Sequence, residues 1–133
     1  MLLTLSLVAL PGFAQTLNIS NAWIRDLPPS ISMRAGYLSL ENKTEHLINI
    51  SSITSESFNR IEIHKTITKD GMMSMKRLDS LQIKPGKSVH LAPGGLHFMM
   101  IKPHTPVKLG DQISLTLTFD NGDSQSTLML VKK

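Results

Sequence analysis

The sequence predicts an all-β protein, a single domain folded as an antiparallel β-sandwich or Greek-key barrel. Three observations indicate this class. Short segments of alternating or β-branched residues recur along the 133 residues, turn-forming residues separate them, and no apolar pattern with a period of 3.6 is sustained. A chain of this length buries one core without disulfide bonds or structural metal ions.

Nine strands are predicted, with turn-forming residues between them. The strands lie at roughly 17–24, 34–41, 47–53, 60–67, 72–78, 87–91, 97–102, 112–119 and 124–131. Turns rich in Pro, Gly, Asn and Asp lie at 27–30, 41–44, 69–71, 84–87, 93–95 and 120–123. The last of them reads Asp-Asn-Gly-Asp, and Asn-Gly accepts the left-handed backbone of a tight hairpin turn. The final two strands are therefore expected to pair as a hairpin.

The N-terminal residues 1–14 are apolar and uncharged. Their length suits the hydrophobic region of a signal peptide and is too short to span a bilayer. Ala14 is a small residue suited to a cleavage site, although no Lys or Arg precedes the apolar run. The alternative is a buried N-terminal strand or helix. We expect a signal peptide at 1–14, a mature domain at 15–133 and an exported protein without an integral membrane segment.

Composition excludes several classes of function. The net charge of +4 comes from Lys and Arg scattered along the chain, a pattern that argues against a nucleic-acid partner. There is no cysteine, so neither a disulfide, a lipid-modified cysteine nor a thiolate site is expected. Ser and Asp lie mainly in turns, and no catalytic constellation stands out. The sequence therefore predicts a protein that is not an enzyme.

Methionine and histidine are the residues that suggest chemistry. The stretch GGLHFMMIKP at 94–103 places His97 and Met99 on one face of a strand, with Phe98 and Met100 on the other. A hairpin around the turn at 69–71 brings His64 near Met73 or Met75. Imidazole and thioether form a soft, neutral ligand set that suits Cu(I), whereas hard cations want oxygen and zinc normally recruits cysteine or carboxylate. The alternative is that these methionines simply fill a core.

The spacing of the histidines and methionines distinguishes candidate metal ligands from residues that pack in the core. His64, Met75, His97 and Met99 form the pattern His-x10-Met-x21-His-x-Met, which resembles the signature of the periplasmic copper chaperones called PCu(A)C. The flanking stretches NAWIRDLPPSISMRAGYLSLEN at 21–42 and IEIHKTITKDGMMSMKRLDSLQIKPGKSVHLAPGGLHFMMIKP at 61–103 are also similar to that family. The resemblance covers roughly residues 17–131.

The resemblance implies a cupredoxin-like β-sandwich that lacks the cysteine of blue-copper centres. It also implies a monomer in the bacterial periplasm that binds Cu(I) through His64, Met75, His97 and Met99. Such a protein delivers copper to the Cu(A) centre of cytochrome c oxidase, directly or through a thiol-bearing copper chaperone. The alternatives are a copper-sequestration or resistance protein and a metal-free β-sandwich that serves as an interaction module.

Other residues near the pattern are secondary candidates. Met72 and Met73 are substitutes for Met75 should that assignment be wrong. Three further residues, His90, Met100 and His104, are candidates for auxiliary contacts. Lys65 follows the first histidine and is expected to bring a positive charge close to the metal.

Overall fold

The structure, a computed structural model, describes residues 17–133, so the predicted signal peptide at 1–14 lies outside the described residues. That range contains ten strands and no helix. In chain order they are β1 (Asn18–Arg25), β2 (Met33–Glu41), β3 (Ile48–Thr54), β4 (Phe58–Lys69), β5 (Met72–Leu78), β6 (Leu81–Ile83), β7 (Ser88–Leu91), β8 (Leu96–Pro103), β9 (Gln112–Phe119) and β10 (Ser124–Lys132).

The predicted all-β class and the nine predicted strands are confirmed. The additional strand is β6, which has three residues and pairs with β3. It is too short for alternation to reveal it. Over residues 17–133, no helix is long and apolar enough to cross a membrane.

The strands form one hydrogen-bonded sheet in the order β5-β4-β8-β2-β1-β10-β9-β3-β6, and β7 pairs separately with β2. Most neighbours are antiparallel, but β1 runs parallel to β10, with Trp23 opposite Leu130. The sequence predicts antiparallel pairing only. No turn joins the first strand to the last, so local sequence does not fix their relative direction.

One apolar core lies on the inner face of this sheet. Strand β9 illustrates how the sequence builds it, because alternate residues of that strand are buried while their neighbours are more exposed. The core includes the fully buried side chains Ile24, Leu40, Ile50, Ile83, Phe98, Met100, Leu115, Leu117 and Met129. The outer face of β4, β8 and β2 is thereby left to carry polar and sulfur-containing side chains.

The hairpin of β4 and β5 extends past the rest of the sheet. Pairing of β4 with β8 ends at Lys65 and Leu96, whereas its pairing with β5 continues to Lys69 and Met72. Asp70 and Gly71 close the hairpin with φ of 54° and 76°, the left-handed conformations of a tight hairpin turn. The predicted turn at 69–71 is confirmed, and it leaves β5 as a strand at the edge of the sheet.

Candidate metal centre

The predicted ligands lie on the outer face of the sheet. His64 on β4 is directly opposite His97 on β8, and Met99 follows two residues later on the same face. The side chains of Phe98 and Met100, which alternate with those of His97 and Met99 along β8, are 0% exposed and point into the core. The expected auxiliary role of Met100 is therefore wrong, because its side chain lies on the other side of the sheet.

The two imidazoles form a close pair. The ring centroids of His64 and His97 are 5.7 Å apart, and the ring planes are inclined at 50°. His97 is 8% exposed, and its Nδ1 lies 3.3 Å from the carbonyl oxygen of Gly95. A carbonyl only accepts, so Nδ1 donates and Nε2 of the neutral ring keeps its lone pair. The turn at 93–95 thus presents Nε2 of His97 as the available ligand atom.

His64 is oriented in the opposite sense. Its Nε2 lies 3.3 Å from Oε1 of Glu62, a carboxylate that accepts a hydrogen bond from the ring N–H. The lone pair of His64 is then on Nδ1, which is buried and has no hydrogen-bond partner in the described part of the chain. Leaving a buried acceptor unpaired costs about 1–3 kcal/mol. A soft metal ion at Nδ1 is a partner that would remove this cost.

Glu62 is held as a carboxylate by its surroundings. Burial alone would raise its pKa, but the hydrogen bond with His64 and the charges of Arg60 and Arg77 outweigh burial and lower the pKa. Nε of Arg60 lies 3.3 Å from Oε2 of Glu62, and Arg77 is opposite His64 on β5. Glu62 was not among the predicted site residues, although its position two residues before His64 already places both on one strand face.

The two thioethers reach the same region from different elements. Met75 pairs with Thr66, two residues from His64 along β4, so both lie on the same face of the hairpin. Met75, His97 and Met99 line one open apolar pocket. Met75 is 61% exposed on the edge strand, whereas Met99 is partly buried on a central strand. The structure therefore brings Met75, His97 and Met99 together, with His64 beside His97.

A loop forms a further wall of this pocket. Leu27 and Ile31 line it, and the buried Arg34 holds the loop in place. The Arg34 guanidinium donates to the backbone carbonyls of Leu27 at 3.2 Å and Pro28 at 3.4 Å, and also to those of Ile31 and Met33. Arg34 is 2% exposed. This role of Arg34 was not predictable from the sequence, because its partners are backbone carbonyls.

The secondary histidine candidates lie elsewhere. His90 hydrogen-bonds the hydroxyl of Ser39 at 2.8 Å, and Nδ1 of His104 donates to the carbonyl of Glu56 at 2.8 Å. Neither histidine is among the residues that line the pocket of Met75 and Met99. Their expected auxiliary contacts are therefore not formed in this structure.

The remaining candidates lie on the β4–β5 hairpin. Met73 shares a face with Met75 but lies further along the hairpin, while Met72 is on the opposite face. Lys65 follows His64, so strand alternation directs its side chain to the other face as well. The charges close to the histidine pair come instead from Glu62, Arg60 and Arg77.

Carboxylates, imidazoles and thiols alone do not make a metal site here. Within residues 17–133, no three His, Cys, Asp or Glu side chains form a group that could hold a metal ion. The two imidazoles lie beside the methionine sulfurs of Met75 and Met99, and this soft, neutral donor set favours a soft, monovalent ion over zinc, calcium or magnesium.

Comparison with known proteins identifies relatives of this chain. Residues 17–131 match the family described as "Putative lipoprotein LpqE-like". "Putative lipoprotein Lxx21020" of Leifsonia xyli subsp. xyli is 31% identical over an alignment of 133 positions, which covers 94% of this chain and 79% of that protein. "Uncharacterized protein RP573" of Rickettsia prowazekii is 34% identical over 95 residues, 68% of this chain and 51% of that protein. The chain thus spans about half the length of the Rickettsia protein.

Solved structures show the same fold. The copper-bound PCuAC domain from PmoF2 superposes with a TM-score of 0.74 at 19% identity, covering 88% of this chain and 92% of that domain. The solution structure of CuI-DR1885 from Deinococcus radiodurans superposes with a TM-score of 0.71 at 28% identity, covering 90% of this chain and 82% of that protein. The predicted cupredoxin-like fold and the resemblance to PCu(A)C proteins are confirmed. The chain belongs to the LpqE-like family and folds as a PCu(A)C domain.

Proposed function

We propose that this protein is an exported copper chaperone that binds one Cu(I) through His64, Met75, His97 and Met99. One observation carries the proposal: two imidazoles and two thioethers meet on one sheet face, and the buried Nδ1 of His64 has no other partner there. The copper-bound domain from PmoF2 and the Cu(I) form of DR1885 have the same fold, which supports the choice of metal.

The donor atoms suit the cargo. Nδ1 of His64 and Nε2 of His97 supply neutral nitrogen, and the two methionines supply neutral sulfur. Cu(I) has a closed shell and accepts such soft ligands in a near-tetrahedral arrangement, whereas the hard divalent cations require oxygen. Glu62 does not bind the metal itself but fixes the tautomer and orientation of His64 through their hydrogen bond, as carboxylates do for metal-binding histidines.

Release follows from the same chemistry. Thioethers bind Cu(I) less tightly than thiolates do, so a partner with two cysteines draws the ion away by ligand exchange. Met75 is the accessible ligand at 61% exposure, and we expect an incoming thiolate to displace it first. The PCu(A)C resemblance favours delivery in the bacterial periplasm to the Cu(A) centre of cytochrome c oxidase, directly or through a thiol-bearing chaperone.

The binding proposal is tested by titrating the purified protein with Cu(I) against a chromogenic Cu(I) chelator. X-ray absorption on the loaded protein then counts scatterers, and we expect about two sulfur and two nitrogen atoms. Met72→Leu is the matched control, since Met72 lies on the opposite face of the same strand and its loss leaves the site intact. Absence of Cu(I) binding would favour a metal-free interaction module instead.

A second experiment separates chaperone from sequestration protein. The Cu(I)-loaded protein is mixed with a small acceptor protein that carries a cysteine pair, and the copper content of both is measured after separation. A chaperone gives up its copper within minutes to near equilibrium. A sequestration or resistance protein retains it, and that result would overturn the delivery role while leaving the site unchanged.

A further inference from the structure

The methionines of the described chain fall into three classes of exposure. Met33, Met72, Met73 and Met75 are the exposed group, Met99 is partly buried, and Met100 and Met129 are fully buried in the core. Met75 is the one member of the exposed group that also belongs to the proposed ligand set. Oxidation of methionine follows the accessibility of its sulfur, so Met75 is the ligand most open to dissolved oxidants.

The same sulfur atom takes part in two reactions. The thioether sulfur of Met75 donates a lone pair to Cu(I), and a lone pair of that sulfur also attacks the electrophilic oxygen of a peroxide. We propose that Met75 is a peroxide-sensitive modification site, and that its conversion to methionine sulfoxide disables the metal centre. This inference rests on the proposed Cu(I) function, because Met75 is one of the four proposed ligands of that site.

The step balances with hydrogen peroxide as the oxidant. An S–O bond forms at Met75 and the O–O bond of the peroxide breaks. The sulfur loses two electrons, the departing peroxide oxygen gains them, and it leaves as water with both peroxide hydrogens. The product is a polar sulfoxide with a hard oxygen donor, which is a poor ligand for Cu(I). A methionine sulfoxide reductase with a thiol as reductant restores the thioether.

The position of the two sulfur ligands explains why Met75 reacts first. Met99 lies on β8 between β4 and β2, next to the loop wall that Arg34 fixes. Met75 lies on the edge strand β5, in the hairpin that extends past β8. An oxidant therefore approaches Met75 from solvent, whereas it reaches Met99 only through the pocket.

Metal occupancy and oxidation exclude each other at Met75. A metal ion bound to the sulfur withdraws electron density from it and covers its approach from the pocket, so a loaded site resists oxidation. Met72 lies three residues earlier on the opposite face and is 76% exposed, so its reactivity does not depend on the metal. The pair provides an internal comparison within one strand.

The experiment uses the variant Met33→Leu/Met72→Leu/Met73→Leu, in which Met75 is the one exposed methionine left in residues 17–133. The apo variant is treated with hydrogen peroxide for increasing times. Sulfoxide is located by peptide mass spectrometry, and Cu(I) affinity is measured by chelator competition after the peroxide is removed. We expect affinity to fall at least tenfold in step with oxidation of Met75, and to recover after treatment with methionine sulfoxide reductases and a thiol. Met100 should stay unmodified.

A second arm uses the natural sequence with Ag(I), a monovalent stand-in for Cu(I) that does not react with peroxide to give radicals. Ag(I) should protect Met75 from oxidation and leave Met72 unprotected. Equal protection of both, oxidation of Met99 before Met75, or full Cu(I) affinity with Met75 oxidised would each overturn the inference alone. Failure of the unoxidised protein to bind Cu(I) or Ag(I) would overturn the proposed function as well.

Discussion

His64 and His97 face each other across antiparallel strands, and their hydrogen bonds expose different ring nitrogens. Gly95 accepts from Nδ1 of His97, while Glu62 accepts from Nε2 of His64. The free lone pairs are therefore on Nε2 of one ring and Nδ1 of the other. Two identical residues at directly opposite positions thus offer two different donor atoms.

Met99→Leu tests whether Met99 contributes sulfur or only volume. Leucine conserves most of the volume, so the free energy of unfolding should change by less than about 1.5 kcal/mol. Cu(I) affinity should fall at least tenfold because a ligand is lost. Chelator competition and urea unfolding measure the two effects. Met100→Leu is the matched control, since Met100 faces the core, and a normal affinity in Met99→Leu would make Met99 a packing residue.

Glu62→Gln tests the orientation of His64. The amide keeps the size of the side chain but removes the carboxylate that fixes the tautomer, so Cu(I) affinity should fall about 10–100-fold. Glu62→Asp retains the charge but shortens the side chain, so its Cu(I) affinity should lie between those of the natural protein and Glu62→Gln. Unchanged affinity in Glu62→Gln would show that the contact with His64 does not support the site.

Glu62→Gln should also change how stability depends on pH. The pKa of Glu62 is lowered from its ordinary value of 4.5. The ionised carboxylate therefore stabilises the folded state above that ordinary value, and this contribution is lost as the pH falls through the lowered one. Urea unfolding of natural protein and variant should differ most at neutral pH and converge in acid. A constant difference across that range would contradict the assignment.

Much of this fold could be predicted from local sequence patterns. The strands were predictable because alternation and turn residues act within about ten positions, as in the Asp-Asn-Gly-Asp hairpin between β9 and β10. The same rule separated His97 and Met99 from Phe98 and Met100. The parallel pairing of β1 with β10 was not predictable, because it joins two strands at opposite ends of the sequence without any connecting turn.

The supporting residues of the site depend on tertiary structure. The contact between Arg60, Glu62 and His64 requires side-chain orientations that no spacing rule specifies. The buried position of Arg34 is less predictable still, because charged residues are seldom buried and its partners are the carbonyls of a proline-containing loop. The ligand role of His64, Met75, His97 and Met99 stays a prediction, although the structure gathers these residues on one sheet face.

Arg34→Met tests the loop wall of the pocket. The substitution removes four partly buried hydrogen bonds to carbonyls of the loop, so we expect the free energy of unfolding to fall by about 1–3 kcal/mol. The loop of Leu27 and Ile31 should loosen, and bound Cu(I) should be oxidised by air several-fold faster. Arg34→Lys keeps the charge but cannot span all four carbonyls, so its effect should be intermediate. If Arg34→Met has the stability and the Cu(I) oxidation rate of the natural protein, Arg34 has no role in the site.

Acid should weaken Cu(I) binding through both histidines. Each imidazole must be neutral to donate its lone pair, so protons compete with the metal for both rings as the pH falls. With two such ligands, affinity should fall by up to about a hundredfold per pH unit in acid, since each proton bound contributes a factor of ten. Chelator competition across a pH series, corrected for the chelator's own protonation, measures this slope. His64→Met replaces one titrating ligand by a thioether and should halve the logarithmic slope. An affinity that is the same at neutral and clearly acidic pH would rule out a site built on His64 and His97.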